Sequence, residues 1–519
     1  MLAFLEPLEE LADYQEIVRK RGKAEGILQI AGCVSSQKTH LMYALGDGFE
    51  YRVIVFSSEE KAKQAYEEYK MLEENTFLYP AKDLLFYHAD IKGAALTGKR
   101  MEVLKKLTEK KNREPVTVIT TADAFLDGLP SKEKLWESRI EIEAGAVIDF
   151  QKLQEELVHL GYERESQIEG PGQFAVRGGI LDVYPLTEEI PVRIELWGDE
   201  IDSIRSFDVE SQRSVENMEQ VVIYPATENV EKEEQAVSFA EYFPKEKSLF
   251  FFDEPVRLQE TLEAVEKEYF HSFESRKNAG MTEEADEIRV FQTKEIIEKF
   301  NTRYGIGLTT LETRCGGFKV RDVYSIQAAG VNPYNNSFEM LTQDLKKLKR
   351  QGYRVILVSG SRTRAKRLAE DLRDYDLSSF YSEDMVRTVR PGEIMVVYGC
   401  VAEGYEYPML KFMVISESDI FGKRKKKRRR KVYEGQKIQE FAELKPGDYV
   451  VHENHGLGVY QGIEKVEVDK VTRDYMKISY ADGGILYILA TQMDLIQKYA
   501  GADAKPPKLN KLGTPQWNK

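Results

Sequence analysis

The sharpest chemical pattern in the sequence is Gly32-Cys33-Val34-Ser35-Ser36-Gln37-Lys38-Thr39, which follows a short apolar run and opens a helical one. A loop in that position can cradle phosphates. Its pattern, GxxxxGK[ST], uses two glycines so that backbone N–H groups wrap a β-phosphate, a lysine to neutralise it and a hydroxyl to hold magnesium. Gln37 stands where the second glycine belongs, and its side chain crowds the space a phosphate would fill. The partner feature of such a site is an acid pair at the end of an apolar strand. Leu249–Phe252 followed by Asp253 and Glu254 has that outline, with Pro255 directly after. Gly32, Gln37, Lys38 and Thr39 therefore read as a nucleotide loop without its chemistry, and neither cofactor nor catalytic residue is expected. The alternative is an ATPase in which Lys38, Thr39, Asp253 and Glu254 act together despite Gln37.

Three other patterns suit binding rather than catalysis. In Val192–Trp197 the apolar residues alternate, so Arg193, Glu195 and Trp197 share the second face of a strand, and Phe174–Arg177 places Arg177 likewise. Arg and Trp are enriched where protein interfaces concentrate their energy, so this face reads as a flat aromatic anchor with two cationic forks for carboxylates. Near the end, Glu464-Lys465-Val466-Glu467-Val468 is a short strand whose backbone could extend a partner's sheet. Residues 423–431, KRKKKRRRK, are an unbroken basic run that would attract DNA phosphates weakly and in a salt-sensitive way. His452 and His455 sit in a turn with no third ligand in view, so no metal site is expected.

The elements that must carry these residues fall into several units. The chain has 519 residues, 42% hydrophobic and 31% charged, enough for several packed cores. Its net charge of −14 disfavours coating of nucleic acid or membranes by the molecule as a whole. Three dispersed cysteines exclude a disulfide framework and fit a reducing cytoplasm. The N-terminus lacks a basic signal-peptide region, and no apolar run is long enough for a membrane span. Residues 1–136 alternate strand and helix with continuous apolar strands, which predicts a parallel sheet covered on both faces. An α+β insertion follows over 137–224, the first unit resumes over 225–333, and 334–422 forms a second small α/β domain. A basic linker covers 423–442. Residues 443–501 read as a small β-barrel with a short closing helix, and carry nine acidic against six basic residues, a balance better suited to protein than to nucleic acid. The stretch 502–519 has linker composition, so a further domain is expected beyond it.

Two segments carry a resemblance. GQFAVRGGILDVYPLTEEIPVRIELWGDEIDSIRSFDVESQRS (172–214) resembles the insertion domain shared by UvrB and the transcription-repair coupling factors. LKPGDYVVHENHGLGVYQGIEKVEV and YMKISYADGGILYILATQMDLIQKYAG, within 444–501, resemble the RNA-polymerase-interacting, CarD-like domain of the same factors. UvrB itself is similar only in the first part and keeps an intact phosphate loop. The resemblance implies an α/β multidomain fold: a degenerate P-loop NTPase-like, UvrB-like domain with its insertion, a second α/β domain and a Tudor/SH3-like barrel. It implies UvrA binding through Arg177, Arg193 and Trp197, the last often Phe in the family. It implies contact with the RNA polymerase β subunit through the strand Glu464, Lys465, Val466, Glu467 and Val468, with Ile488 on a neighbouring strand. Some members have Leu at the position of Val466. ATP, magnesium and most DNA contact belong, by the same resemblance, to a translocase module outside this chain. The rival readings are a UvrB-like DNA-dependent ATPase and a DNA-binding protein working through 423–431.

Overall fold

The computed structural model describes residues 2–82, 94–109, 114–209, 211–228, 235–278, 290–384, 386–422, 435–437, 444–452, 456–468, 471–481, 485–489 and 496–499. The basic run 423–431, His455 and the closing stretch 502–519 lie outside them. Among the described residues no helix is long and apolar enough to cross a membrane.

The continuous apolar strands of the first unit assemble as expected into a parallel sheet of seven strands. Their order is Val320–Ser325, Gly26–Ala31, Tyr304–Thr309, Ser248–Asp253, Tyr51–Phe56, Val116–Thr121 and Thr76–Tyr79. Alternate residues of one strand enter different cores. Phe250 and Phe252 pack with Val53, Val55 and Val118 on one face. Leu249 and Phe251 pack with Leu28, Ile30 and Ile54 on the other. Burial on both faces is why the central strands Ser248–Asp253 and Tyr51–Phe56 read as near-continuous apolar runs, whereas the edge strand Val320–Ser325, only partly buried, is polar.

The insertion hangs from a neck of two strands, Ile140–Glu143 and Gln220–Ile223, paired antiparallel with Ile142 opposite Val221. Beyond the neck lies a six-stranded sheet in the order Ser214–Met218, Glu200–Phe207, Val192–Trp197, Ile180–Val183, Gln173–Arg177 and Glu163–Glu165. One face packs on the helix Phe150–His159 through Leu153 and Leu157. The other face carries a small buried cluster of Ile168, Ala175 and Phe207 and is open towards Trp197, which accounts for the alternation visible in the sequence.

The second α/β domain has its own six-stranded sheet, centred on Arg354–Ser359 between Phe412–Ser416 and Ile394–Tyr398. Its edge strand Ala329–Gly330 pairs with Tyr405–Tyr407, so this sheet begins slightly before residue 334. The last unit is an antiparallel row of six strands: Gly435–Lys437, Ile496–Tyr499, Tyr449–His452, Gly456–Val468, Val471–Ser479 and Ile485–Leu489. The closing helix expected from the sequence is corrected here. Ile496–Tyr499 is a strand, because Ile496 fills the core beside Val450 and Ile478 while its backbone pairs with Val450–His452.

Candidate functional site

At the phosphate-type loop, the strand Gly26–Ala31 turns at Gly32, whose φ of +87° lies in the left-handed region, and leads into the helix Ser35–Leu45. Gln37 is buried and bends back, its side-chain oxygen accepting the Val34 N–H at 3.0 Å as a helix-capping group. Lys38 Nζ lies 2.6 Å from Asp253 Oδ1 and 2.7 Å from Glu254 Oε1, and Lys61 Nζ reaches Asp253 Oδ2 at 3.0 Å. Glu254 adopts a left-handed φ of +51°, which lets its carboxylate also accept from the Thr310 N–H at 2.8 Å and Oγ1 at 2.7 Å. Burial works against the charge on Lys38, but the two carboxylates outweigh it and raise its pKa. Burial likewise pushes Glu254 upward, and the hydrogen bond and charge of Lys38, with Thr310, hold it below the usual carboxylate range. The ammonium that a phosphate would require is thus neutralised from within, and one cradle N–H already has an oxygen.

Sequence reasoning missed the lid over this helix. Ser36 Oγ donates to Glu68 Oε1 at 2.7 Å, and that same oxygen accepts the Ala402 N–H at 3.0 Å. The Glu403 N–H donates to Ser36 Oγ at 3.2 Å. His40 bridges Tyr407 Oη and the Phe4 carbonyl, each at 2.8 Å, and stacks on Tyr405. The second α/β domain is therefore laid across the helix that carries Lys38. The only trace in the sequence is a lone histidine on an otherwise unremarkable helix.

On the open face of the insertion, Arg177 and Arg193 converge on one carboxylate. Asp182, 2% exposed, accepts Arg177 Nη2 at 2.7 Å, Arg193 Nε at 2.7 Å and Arg193 Nη2 at 2.9 Å. Arg193 also reaches Gln212 Oε1 at 3.0 Å and lies over the Phe207 ring at 4.4 Å. Both forks are engaged by this buried carboxylate: Arg193 is mostly covered, whereas Arg177 stands half-exposed. The cause is register, which sets Asp182 opposite Arg193. Glu195 is similarly occupied by Arg205 and Ser203. Trp197, at the end of its strand, is 84% exposed.

In the last unit, Gly456–Val468 pairs with Tyr449–His452 only as far as Val459, and with Val471–Ser479 as far as Val468. Its outer half, including Lys465, Val466, Glu467 and Val468, has a strand on one side alone among the described residues. Glu464 accepts from Lys477 Nζ at 2.7 Å and Tyr487 Oη at 3.1 Å. Ile488 pairs opposite Met476 and is buried in the core with Val450 and Tyr460. Among the described residues no cluster of three or more metal-ligating side chains occurs.

Residues 140–229 match the family described as the UvrB interaction domain, and residues 444–500 match the CarD-like/TRCF RID domain. The chain is 27% identical over 579 residues to the transcription-repair-coupling factor of Bacillus subtilis (strain 168), covering 99% of this chain and 48% of that protein. It is 30% identical over 509 residues to the factor of Staphylococcus aureus (strain USA300), covering 86% of this chain and 42% of that protein. The chain thus spans about half the length of the curated relatives it matches. With domains of these two kinds in this order and such relatives along nearly the whole chain, the chain is similar to a little under half of a transcription-repair-coupling factor.

Proposed function

We propose that the chain is the adaptor part of transcription-coupled nucleotide excision repair in the cytoplasm, holding UvrA with its insertion domain and the RNA polymerase β subunit with its last unit. The observation that carries this reading is the open insertion face, where an exposed Trp197 stands beside a half-exposed Arg177 in a domain of UvrB-interaction type. A large aromatic left in water costs hydration free energy that a partner's pocket recovers. Arg193 acts here by fixing Asp182 and so aiming Arg177, rather than by direct contact. Among the described residues the outer half of Gly456–Val468 has an unpaired edge, which supports strand addition by the polymerase. The Lys38–Asp253–Glu254 cluster supports a phosphate-type loop that takes no nucleotide. ATP-driven displacement of stalled polymerase, with its magnesium and most of its DNA contact, we assign to the part of the longer relatives outside the match. The basic run adds at most weak, salt-sensitive DNA attraction.

Titration of the full chain with purified UvrA and with RNA polymerase tests both hands. Trp197→Ala or Arg177→Ala should each weaken UvrA binding by about 2 kcal/mol, the scale of an interface hot spot, and leave polymerase binding intact. Val466→Arg should do the reverse. Unchanged UvrA affinity in both insertion variants would remove that site, and polymerase capture surviving Val466→Arg would remove the strand-addition mode. ATP turnover by the chain, abolished by Lys38→Ala, would instead favour the ATPase reading.

A further inference from the structure

The pairing of strands on the open insertion face places a residue that the sequence patterns do not single out. Trp197 is paired with Glu200 across a tight hairpin, and Glu200 is bridged on its other side to Val147, in the segment leading from the neck. Partners in antiparallel register share a face of the sheet. The three side chains therefore form one row on the open face, while their neighbours Leu196, Ile201, Ala146 and Ile148 point into the core. Val147 is 76% exposed, nearly as bare as Trp197. The segment that presents it is held down, with the Ile148 N–H on the Asp199 carbonyl at 2.8 Å and the Ile201 N–H on the Ala146 carbonyl at 2.9 Å. A β-branched residue kept bare on a fixed backbone is already ordered for contact.

Charge divides the same face. Arg177 stands on one side of Trp197, whereas Glu200 lies between Trp197 and Val147, with Asp199 and Asp202 exposed beside it. We infer that the docking surface extends from Trp197 across Glu200 to Val147, and that its partner brings a cation opposite Glu200, set between two apolar patches that receive Trp197 and Val147. This inference rests on the proposal that the open insertion face docks UvrA, and it fixes the chemistry of the half of the interface that Arg177 does not reach.

The test is titration of purified UvrA against the full chain carrying Val147→Asp, Glu200→Lys, Trp197→Ala or, as a control, Val158→Asp. Val158 is exposed on the helix that packs against the opposite face of the sheet. Both Val147→Asp and Glu200→Lys should weaken binding at least tenfold, with unfolding midpoints unchanged because both side chains are exposed. Neutral Glu200→Gln should lower the salt dependence of the association. Val158→Asp should bind as the unsubstituted chain does. If Trp197→Ala loses binding while Val147→Asp and Glu200→Lys stay within twofold, the extension is wrong and the docking site itself stands. If Trp197→Ala also binds normally, both fall. An equal loss in Val158→Asp would likewise overturn the inference, since the effect would not be specific to this row.

Discussion

Lys38 carries two carboxylates on one nearly buried ammonium, so removing it strands charge rather than a contact. Lys38→Ala leaves Asp253 with Lys61 and leaves Glu254 with Thr310. The expected cost is about 3 kcal/mol, measured by urea unfolding. The acid limb should move too. Glu254 is held low in the folded chain, so its contribution is complete above its unfolded pKa and fades as pH falls through the lowered value. Without Lys38 the burial penalty dominates, and the acid-unfolding midpoint should rise. Gly32 is required for shape, independently of any phosphate. At its φ of +87° an added Cβ would also lie 2.7 Å from the Gln327 amide. Gly32→Ala should therefore cost about 1–3 kcal/mol, read as a lowered thermal midpoint. At this scale Lys38, Asp253 and Glu254 were legible as one site, because a strand–loop–helix pattern brings such residues together. That the acids would hold the lysine, instead of a metal, depends on the left-handed turn at Glu254, which no spacing reveals.

The strands differ in how much of themselves the sequence disclosed. Continuous apolar runs announced the seven-stranded parallel sheet, and alternation announced the half-open insertion sheet. Register was hidden, because it couples strands that one-dimensional periodicity treats separately. The fate of Arg193 follows from that gap: Asp182 lies eleven positions away along the chain, yet directly across the ladder. Asp182→Ala would leave Arg193, which is mostly covered, and Arg177 without their shared anion. Unfolding of the insertion should then become easier by about 3 kcal/mol in urea titrations, and the proposed UvrA binding should weaken through the misplaced Arg177 even where the fold survives. Within the closing stretch, read from the sequence as a short helix, the described residues Ile496–Tyr499 form a strand, since four residues are too few for periodicity to speak. Its pairing with Val450–His452 decided the outcome.

Across the molecule, the first parallel sheet and the second α/β domain share a continuous apolar core, in which Ile54 and Phe251 belong with Val358 and Phe412. His40 sits in that junction, and burial lowers its pKa to about 4. Between that value and the ordinary histidine value the unfolded chain binds the proton and the folded chain does not. Stability should therefore fall as pH drops through this window, by roughly 3 kcal/mol in total. His40→Gln should flatten that slope, as measured by denaturant titrations at pH 7 and pH 4.5. The insertion is more self-contained, although Leu186 packs into the first domain's core. Its two crossings into the rest of the chain are hydrogen-bonded to each other, and Leu153, Phe174, Ile194 and Ile223 give it an interior of its own. Polypeptide that enters and leaves a body through one such doorway is modular in a practical sense. Cut at the neck, residues 139–226 should fold as a free-standing miniature with adjoining ends, and could be spliced into the turn of an unrelated host without prising that host open.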